Sequence, residues 1–333
     1  MIRYIGERLL LMLFLLLGIS FISFLIMQLA PGNYLDTLAM NPQISPAYIA
    51  HMKEKFGLNL PWYVQYFRWL LGILPHPVNG NWHHWDYFDF GISFSQQIPV
   101  FSILKPAMMN TLILALATIV VSWFIAVPMG VYAAVKQNGP FDQASIFLAY
   151  IGFAIPDFFL AMLLLFLASR THLFPIGGMI GRDYEYLSPW GKLIDLFHHL
   201  FLPVLVLTVG NVAYLMRQMR ASLLDVLRAE YIQTARAKGL RERIVIFRHA
   251  LRNALNPMIT LFGFELGFLL SGALAVEIVM SWPGLGRVIY EAIIQKDLYV
   301  VMGDLMVSSV LLIVGNLLAD ILLAWVDPRI RYD

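Results

Sequence analysis

The sequence predicts an all-α polytopic membrane protein with about six transmembrane helices. Three observations carry this. Of 333 residues, 59% are hydrophobic and only 13% are charged, against roughly 25% charged in an average soluble domain. The apolar residues fall into six long runs, near the roughly 20 residues that a bilayer core about 30 Å thick requires. The charges gather in the segments between those runs.

In chain order the runs are approximately Leu9 to Ala30, Met108 to Val135, Gln143 to Ser169, Leu200 to Met216, Pro257 to Met280 and Val301 to Val326. The first follows Arg3 and Arg8 and superficially resembles a secretory signal. It is too long for a signal core and lacks a small-residue cleavage site before Pro31, so it reads as a retained span. Helices are expected throughout, because each segment must satisfy its own backbone groups in lipid. Pro156 inside the third run predicts a kink there. The fourth run is the shortest.

Nine Lys and Arg residues stand between the fourth and fifth runs: Arg217, Arg220, Arg228, Arg236, Lys238, Arg241, Arg243, Arg248 and Arg252. By the positive-inside rule this loop is cytoplasmic. With six spans both termini are then cytoplasmic too, in keeping with Arg3 and Arg8 at one end and Arg329 and Arg331 at the other. The segments Pro31 to Pro106, Arg170 to His199 and Ser281 to Val300 lie outside. A formal net charge of +2 gives no support to a nucleic-acid partner. Cysteine is absent, which excludes disulfides, thiolate metal sites and a cysteine nucleophile.

The first external segment is rich in aromatics: Trp62, Tyr63, Tyr66, Phe67, Trp69, Trp82, Trp85, Tyr87 and Phe88. Such rings favour the headgroup layer, so short helices on the outer membrane surface are expected, with docking of an external partner as a second reading. His83 and His84 are adjacent and lack a spaced third ligand, so they read as interfacial polar residues rather than a metal site. No internal repeat is visible.

The cytoplasmic loop reads Arg220-Ala-Ser-Leu-Leu-Asp225, Ala229-Glu-Tyr-Ile-Gln-Thr-Ala-Arg-Ala-Lys-Gly-Leu240 and Phe247-Arg-His-Ala-Leu-Arg-Asn-Ala-Leu-Asn-Pro257. Tyr231, Thr234, Ala235 and Lys238 share one helical face. Gly239 supplies a C-terminal stop. The expected product is a short helix with small surface residues, followed by a second basic helix leading into the fifth span. Small residues let another backbone approach closely, and arginines around them pair with carboxylates.

Here the chain resembles the permeases of ATP-binding-cassette importers, in particular the oligopeptide, dipeptide and nickel branch. In that family this segment is the EAA loop, whose coupling helix enters a cleft on the ATPase subunit. Sequence and pattern agree at Ala235, Gly239 and Leu251. Gln233 replaces the usual first glutamate and Arg252 a usual proline, departures that suit the branch's own Tyr-x-x-Thr-Ala-Arg-Ala-Lys-Gly-Leu. The resemblance extends along the chain. Phe56-Gly-Leu-Asn-Leu-Pro61 with Gln65-Tyr66, and Phe90-Gly-Ile-Ser93, resemble the external segment after the first span. Glu277, Ser281-Trp-Pro-Gly-Leu-Gly286 and Asp297 resemble the turn after the fifth, and Asn316, Asp320 and Asp327-Pro-Arg-Ile330 the C-terminal signature.

The resemblance implies a type I importer permease (MetI-like) fold in a prokaryotic inner membrane: an N-terminal tail and first span in 1–30, an external segment in 31–105, a five-helix core in 106–326 with coupling loop 217–256, and a cytoplasmic tail in 327–333. It implies that Tyr231, Gln233, Thr234, Ala235, Arg236, Ala237, Lys238, Gly239 and Leu240 form the ATPase-coupling site. The implied partners are a second, related permease, two ATPase subunits, an extracytoplasmic substrate-binding protein and a peptide substrate. No phosphate-cradling G-x-x-x-x-G-K-[ST] loop is present, so ATP and Mg are expected on the ATPase subunits and no catalytic residue or cofactor in this chain.

Ionisable residues inside spans by default suggest a cavity or pathway. Glu265 lies midway in the fifth run, as an internal partner for another helix or as a pathway group for a cationic peptide terminus. Asp320 in the sixth reads as a packing or gating residue. Gly263 and Gly267 form a G-x-x-x-G pair that favours close helix packing. An ion-coupled secondary transporter using Glu265 is the alternative reading, weakened because a carrier needs no ATPase-docking loop.

Overall fold

The computed structural model describes residues 2–29, 32–74, 76–78, 81–86, 89–270 and 273–326. Helices α1 (Ile2–Leu29), α2 (Tyr34–Ala39), α3 (Pro46–Lys55) and α4 (Trp62–Ile73) are followed by a hairpin of β1 (His76–Val78) and β2 (Asn81–Asp86). Then come α5 (Val100–Val135), α6 (Pro140–Ala154), α7 (Asp157–Thr171) and α8 (Pro189–Leu227). The loop beyond α8 holds α9 (Glu230–Ala237), α10 (Glu242–Ile244), a π-helical turn (Val245–Ala250) and α11 (Leu251–Ala254). The remaining helices are α12 (Asn256–Leu270), α13 (Leu274–Val279), α14 (Leu285–Ile294) and α15 (Leu298–Val326).

Four of the six predicted spans are continuous helices, and the other two are interrupted. Among the described residues four helices, α1, α5, α8 and α15, are long and apolar enough to cross a membrane, and the bent pair α6–α7 is so only when its two rods are taken together. The expected fifth span is divided: α12 ends at Leu270 after 15 residues, and α13 begins at Leu274. The kink expected at Pro156 is a break, with α6 and α7 meeting at 93°. Proline has no N–H for the carbonyl four residues back and forces Ile155 into extended backbone (φ −89°, ψ 115°). The fourth span, expected to be the shortest, is the longest helix among the described residues, at 39 residues. Its start lies in a segment read as loop, where the Ser188 hydroxyl accepts from the Gly191 N–H and Pro189 occupies the first turn.

By contacts the chain forms two compact units, residues 1–110 with 284–311 and residues 111–283 with 312–333. In the first, Phe24, Leu35, Phe56, Tyr66, Trp69, Phe90, Phe94, Leu104 and Leu285 share a buried core. Two rings expected at the headgroup layer are therefore core residues. Tyr66 bonds Ser20 at 2.9 Å, and the Trp69 indole N–H donates to the Phe90 carbonyl at 3.0 Å. Trp62, Tyr63 and Phe67 remain exposed. Tyr87, Phe88, Arg329, Arg331 and the 327–330 signature lie outside the described residues, as do the side chains of Arg3, Arg8, Trp82, His83, His84 and Trp85.

Asp297 closes the same unit. Fully buried just before α15, its carboxylate accepts from the Ser93 hydroxyl (2.6 Å) and from the Ser95 N–H and hydroxyl (3.0 Å each). The second unit packs on small residues. A Cβ on Gly130 of α5 would come within 2.7 Å of the Met216 carbonyl, and Gly315 of α15 lies against Gly267 of α12. Gly263 is buried as well.

Candidate coupling site

The loop after α8 is folded onto the second unit by two inward residues of α9. Ile232 and Ala235, three apart, are buried with Leu223, Val245, Ala250 and Ala254. The opposite face of α9 presents Glu230, Tyr231, Gln233, Thr234 and Ala237, continuing into Lys238, Gly239 and Leu240. Ala235 was expected on the outward face with Tyr231 and Thr234; instead it anchors the helix, and Ala237 is the outward small residue.

Gly239 ends α9 as the sequence implied. Its φ of +77° is left-handed, its N–H donates to the Arg236 carbonyl at 2.9 Å, and the Leu240 N–H donates to the Ala235 carbonyl at 3.4 Å. This paired closure is a Schellman turn. Arg236 then spans the turn to Glu242, with Nη2 to Oε1 at 2.7 Å and Nε to Oε2 at 3.2 Å. Those bonds hold the Glu242 carboxyl below its ordinary range and raise the Arg236 guanidinium. Asn253 of α11 donates to the Tyr231 hydroxyl at 2.8 Å, fixing the outward ring. Gln233 donates to the Leu227 carbonyl at 3.4 Å, and Leu251 packs against the core while Arg252 is exposed.

A depressed carboxylate stabilises the fold above its unfolded pKa, about 4.5 here, and that contribution disappears as pH falls through the folded value. The pair is more than a third exposed, so its contribution is small, about 0.5 kcal/mol. Thermal unfolding at pH 6 and pH 3.5 should show wild type losing about that much more than Glu242→Gln; equal losses would mean that the pair does not stabilise the turn.

The loop is also tied to α6. Arg220 of α8 donates through Nε and Nη2 to both oxygens of Asp142, at 2.5 and 2.7 Å, and Asp142 is 1% exposed. The Asn138 N–H adds a third bond at 2.8 Å. Nothing in the sequence pointed to this pair, 78 residues apart. The same holds for Trp123 of α5, whose indole N–H donates to Glu265 Oε2 at 2.7 Å. Glu265 lines a cavity of about 300 Å³, and Asp320, partly buried on α15, is not among its lining residues.

Residues 126–332 match the binding-protein-dependent transport system inner membrane component family, and residues 1–115 match its N-terminal companion. The chain belongs to this family of transport permeases. Within the family it is 41% identical over 334 residues to the oligopeptide transport system permease protein AppB of Bacillus subtilis, covering all of both chains. It is 34% identical over 350 residues to the dipeptide transport system permease protein DppB of Escherichia coli K12, covering all of this chain and 99% of that one. A structure of the MetNI methionine ABC transporter aligns with a TM-score of 0.53 and 18% identity, covering 68% of this chain and 97% of that one. That likeness bears out the expected MetI-like fold. Membership in a binding-protein-dependent transport family also removes the ion-coupled carrier from consideration.

Proposed function

We propose that this permease forms half of the translocation pathway of an ATP-driven importer for oligopeptides or dipeptides, and that α9 transmits the ATPase cycle to the membrane helices. The observation that carries the coupling role is the outward face of α9, a short helix with Ala237 and Gly239 exposed and its inner face locked to the core. Full-length similarity to two peptide permeases supports the substrate class. The positive-inside count supports a cytoplasmic α9 in a prokaryotic cell, and with α12 and α13 taken as a sixth crossing both termini lie on the same side.

In this reading two ATPase subunits bind ATP and Mg inside the cell, a second, related permease completes the pathway, and a binding protein delivers peptide from outside. ATP-driven closure of the ATPases displaces α9. The displacement reaches α8 and α12 through Ile232 and Ala235, whose shared core includes Leu223 and Met258, and the pathway changes its side of access. Hydrolysis resets it. This chain binds and orients; it makes and breaks no covalent bond.

The test is ATP-dependent uptake of labelled peptide into vesicles holding the assembled importer, comparing wild type with Gly239→Asp. A Cβ at Gly239 meets nothing within 4 Å among the described residues; the left-handed backbone strains any side chain there, though Asp less than most. The change therefore alters the docking surface more than the fold. Uptake is expected to fall at least about tenfold, the size of a lost contact of about 1.4 kcal/mol. Unchanged uptake, or uptake driven by an ion gradient without ATP, would overturn the proposal.

A further inference from the structure

We infer that the cavity beside Glu265 receives the primary ammonium group of the transported solute. This rests on the peptide-import reading and adds to it the chemical feature that is recognised inside the membrane.

Of the two Glu265 carboxylate oxygens, one has a hydrogen-bond partner among the described residues. Oε2 accepts from the Trp123 indole at 2.7 Å, whereas Oε1 is buried and has no hydrogen-bond partner among the described residues. An unsatisfied carboxylate oxygen is costly, and the cost falls when a donor arrives. The cavity of about 300 Å³ next to it is lined by Asn211, Tyr214, Phe264, Glu265 and Phe268 together with two leucines. That lining contains no lysine or arginine, so the carboxylate has no counter-ion within it.

The remaining walls suit a cation. Asn211 and Tyr214 bring acceptor oxygens, and an ammonium is three donors with no acceptor. Phe264 and Phe268 flank Glu265 along α12 and are 62% and 72% exposed. Aromatic faces attract an ammonium, the more strongly when it is desolvated. A carboxylate acceptor with aromatic flanks is poorly matched to a carboxylate or phosphate ligand, which would face Glu265 as a like charge. Every free peptide carries one α-ammonium whatever its side chains, so a site of this kind combines recognition with tolerance of sequence.

The test is equilibrium binding to the purified permease–ATPase complex without binding protein, using radiolabelled trialanine and N-acetyl-trialanine. Wild type is expected to prefer the free-amine peptide at least tenfold. Glu265→Gln should abolish that preference through loss of affinity for trialanine, with assembly of the variant with its ATPase subunits, read by size-exclusion chromatography, as the check on folding. Phe264→Leu should weaken trialanine two- to fivefold and leave the acetylated peptide unchanged. Equal affinities in wild type, no measurable binding, or a preference that survives in Glu265→Gln overturn the site. ATP-driven uptake of the two peptides into vesicles holding the same complex together with its binding protein reports separately on import: uptake without ammonium preference removes the site alone, and uptake of neither peptide removes the import reading.

Discussion

Arg220→Met is expected to destabilise the permease by about 3–5 kcal/mol, the range measured when one partner of a buried ion pair is removed. Asp142 is 1% exposed, and both of its oxygens depend on Arg220. Methionine replaces the arginine's volume without its charge, leaving a buried carboxylate held only by the Asn138 N–H. The loss should appear as an earlier unfolding midpoint in a mixed-detergent titration. The double variant Asp142→Ala, Arg220→Met should regain most of it, because the cost lies in the orphaned charge. A single variant as stable as wild type, or a double variant worse than the single one, would mean that the pair does not hold α6 to α8.

Asp297→Ala should cost about 3 kcal/mol. The carboxylate serves two separate structures: it accepts three hydrogen bonds from Ser93 and Ser95, and its Oδ1 accepts from the Val300 N–H in the first turn of α15 at 3.4 Å. Loss of an N-cap costs about 1 kcal/mol and loss of hydrogen bonds to a charged group about 1.5–3 kcal/mol. Asp297→Asn keeps an acceptor of the same shape and should lose about half as much. The same unfolding titration checks the order. Equal stability of the alanine and asparagine variants would show that the acceptor is not what matters at this position.

Local signals proved legible where one short stretch of chain decides the outcome. Pro156 ends α6 by removing an N–H, and Gly239 ends α9 by adopting a backbone that other residues resist. Pairings distant in the sequence were not legible. Arg220 counted towards the topology of the loop, but its bond to Asp142 depends on how two helices meet. The rings of Tyr66 and Trp69 look the same in sequence as those of Trp62 and Tyr63, and only tertiary packing separates buried from exposed. The start of α8 was hidden for a related reason: Lys192, Asp195, His198 and His199 interrupt the apolar run, although the Ser188-Pro189 cap signals a helix. His199 is nonetheless buried, and its Nδ1 lies 2.8 Å from the Asp195 carbonyl. The face of Ala235 was misread because small residues suit either a docking surface or a tight core.

The elbow at Pro156 restricts the surroundings in which the chain can fold. At 15 residues each, α6 and α7 are about 22 Å long, so neither rod alone crosses a hydrocarbon layer about 30 Å thick. Where they meet, Pro156 has no hydrogen to offer the Gly152 carbonyl, and no side chain caps the start of α7. Fatty-acyl chains cannot solvate such groups, whereas water or another polypeptide can. The inner corner of the elbow must therefore be wetted or covered by protein, which gives this stretch of the permease a side that lipid cannot occupy.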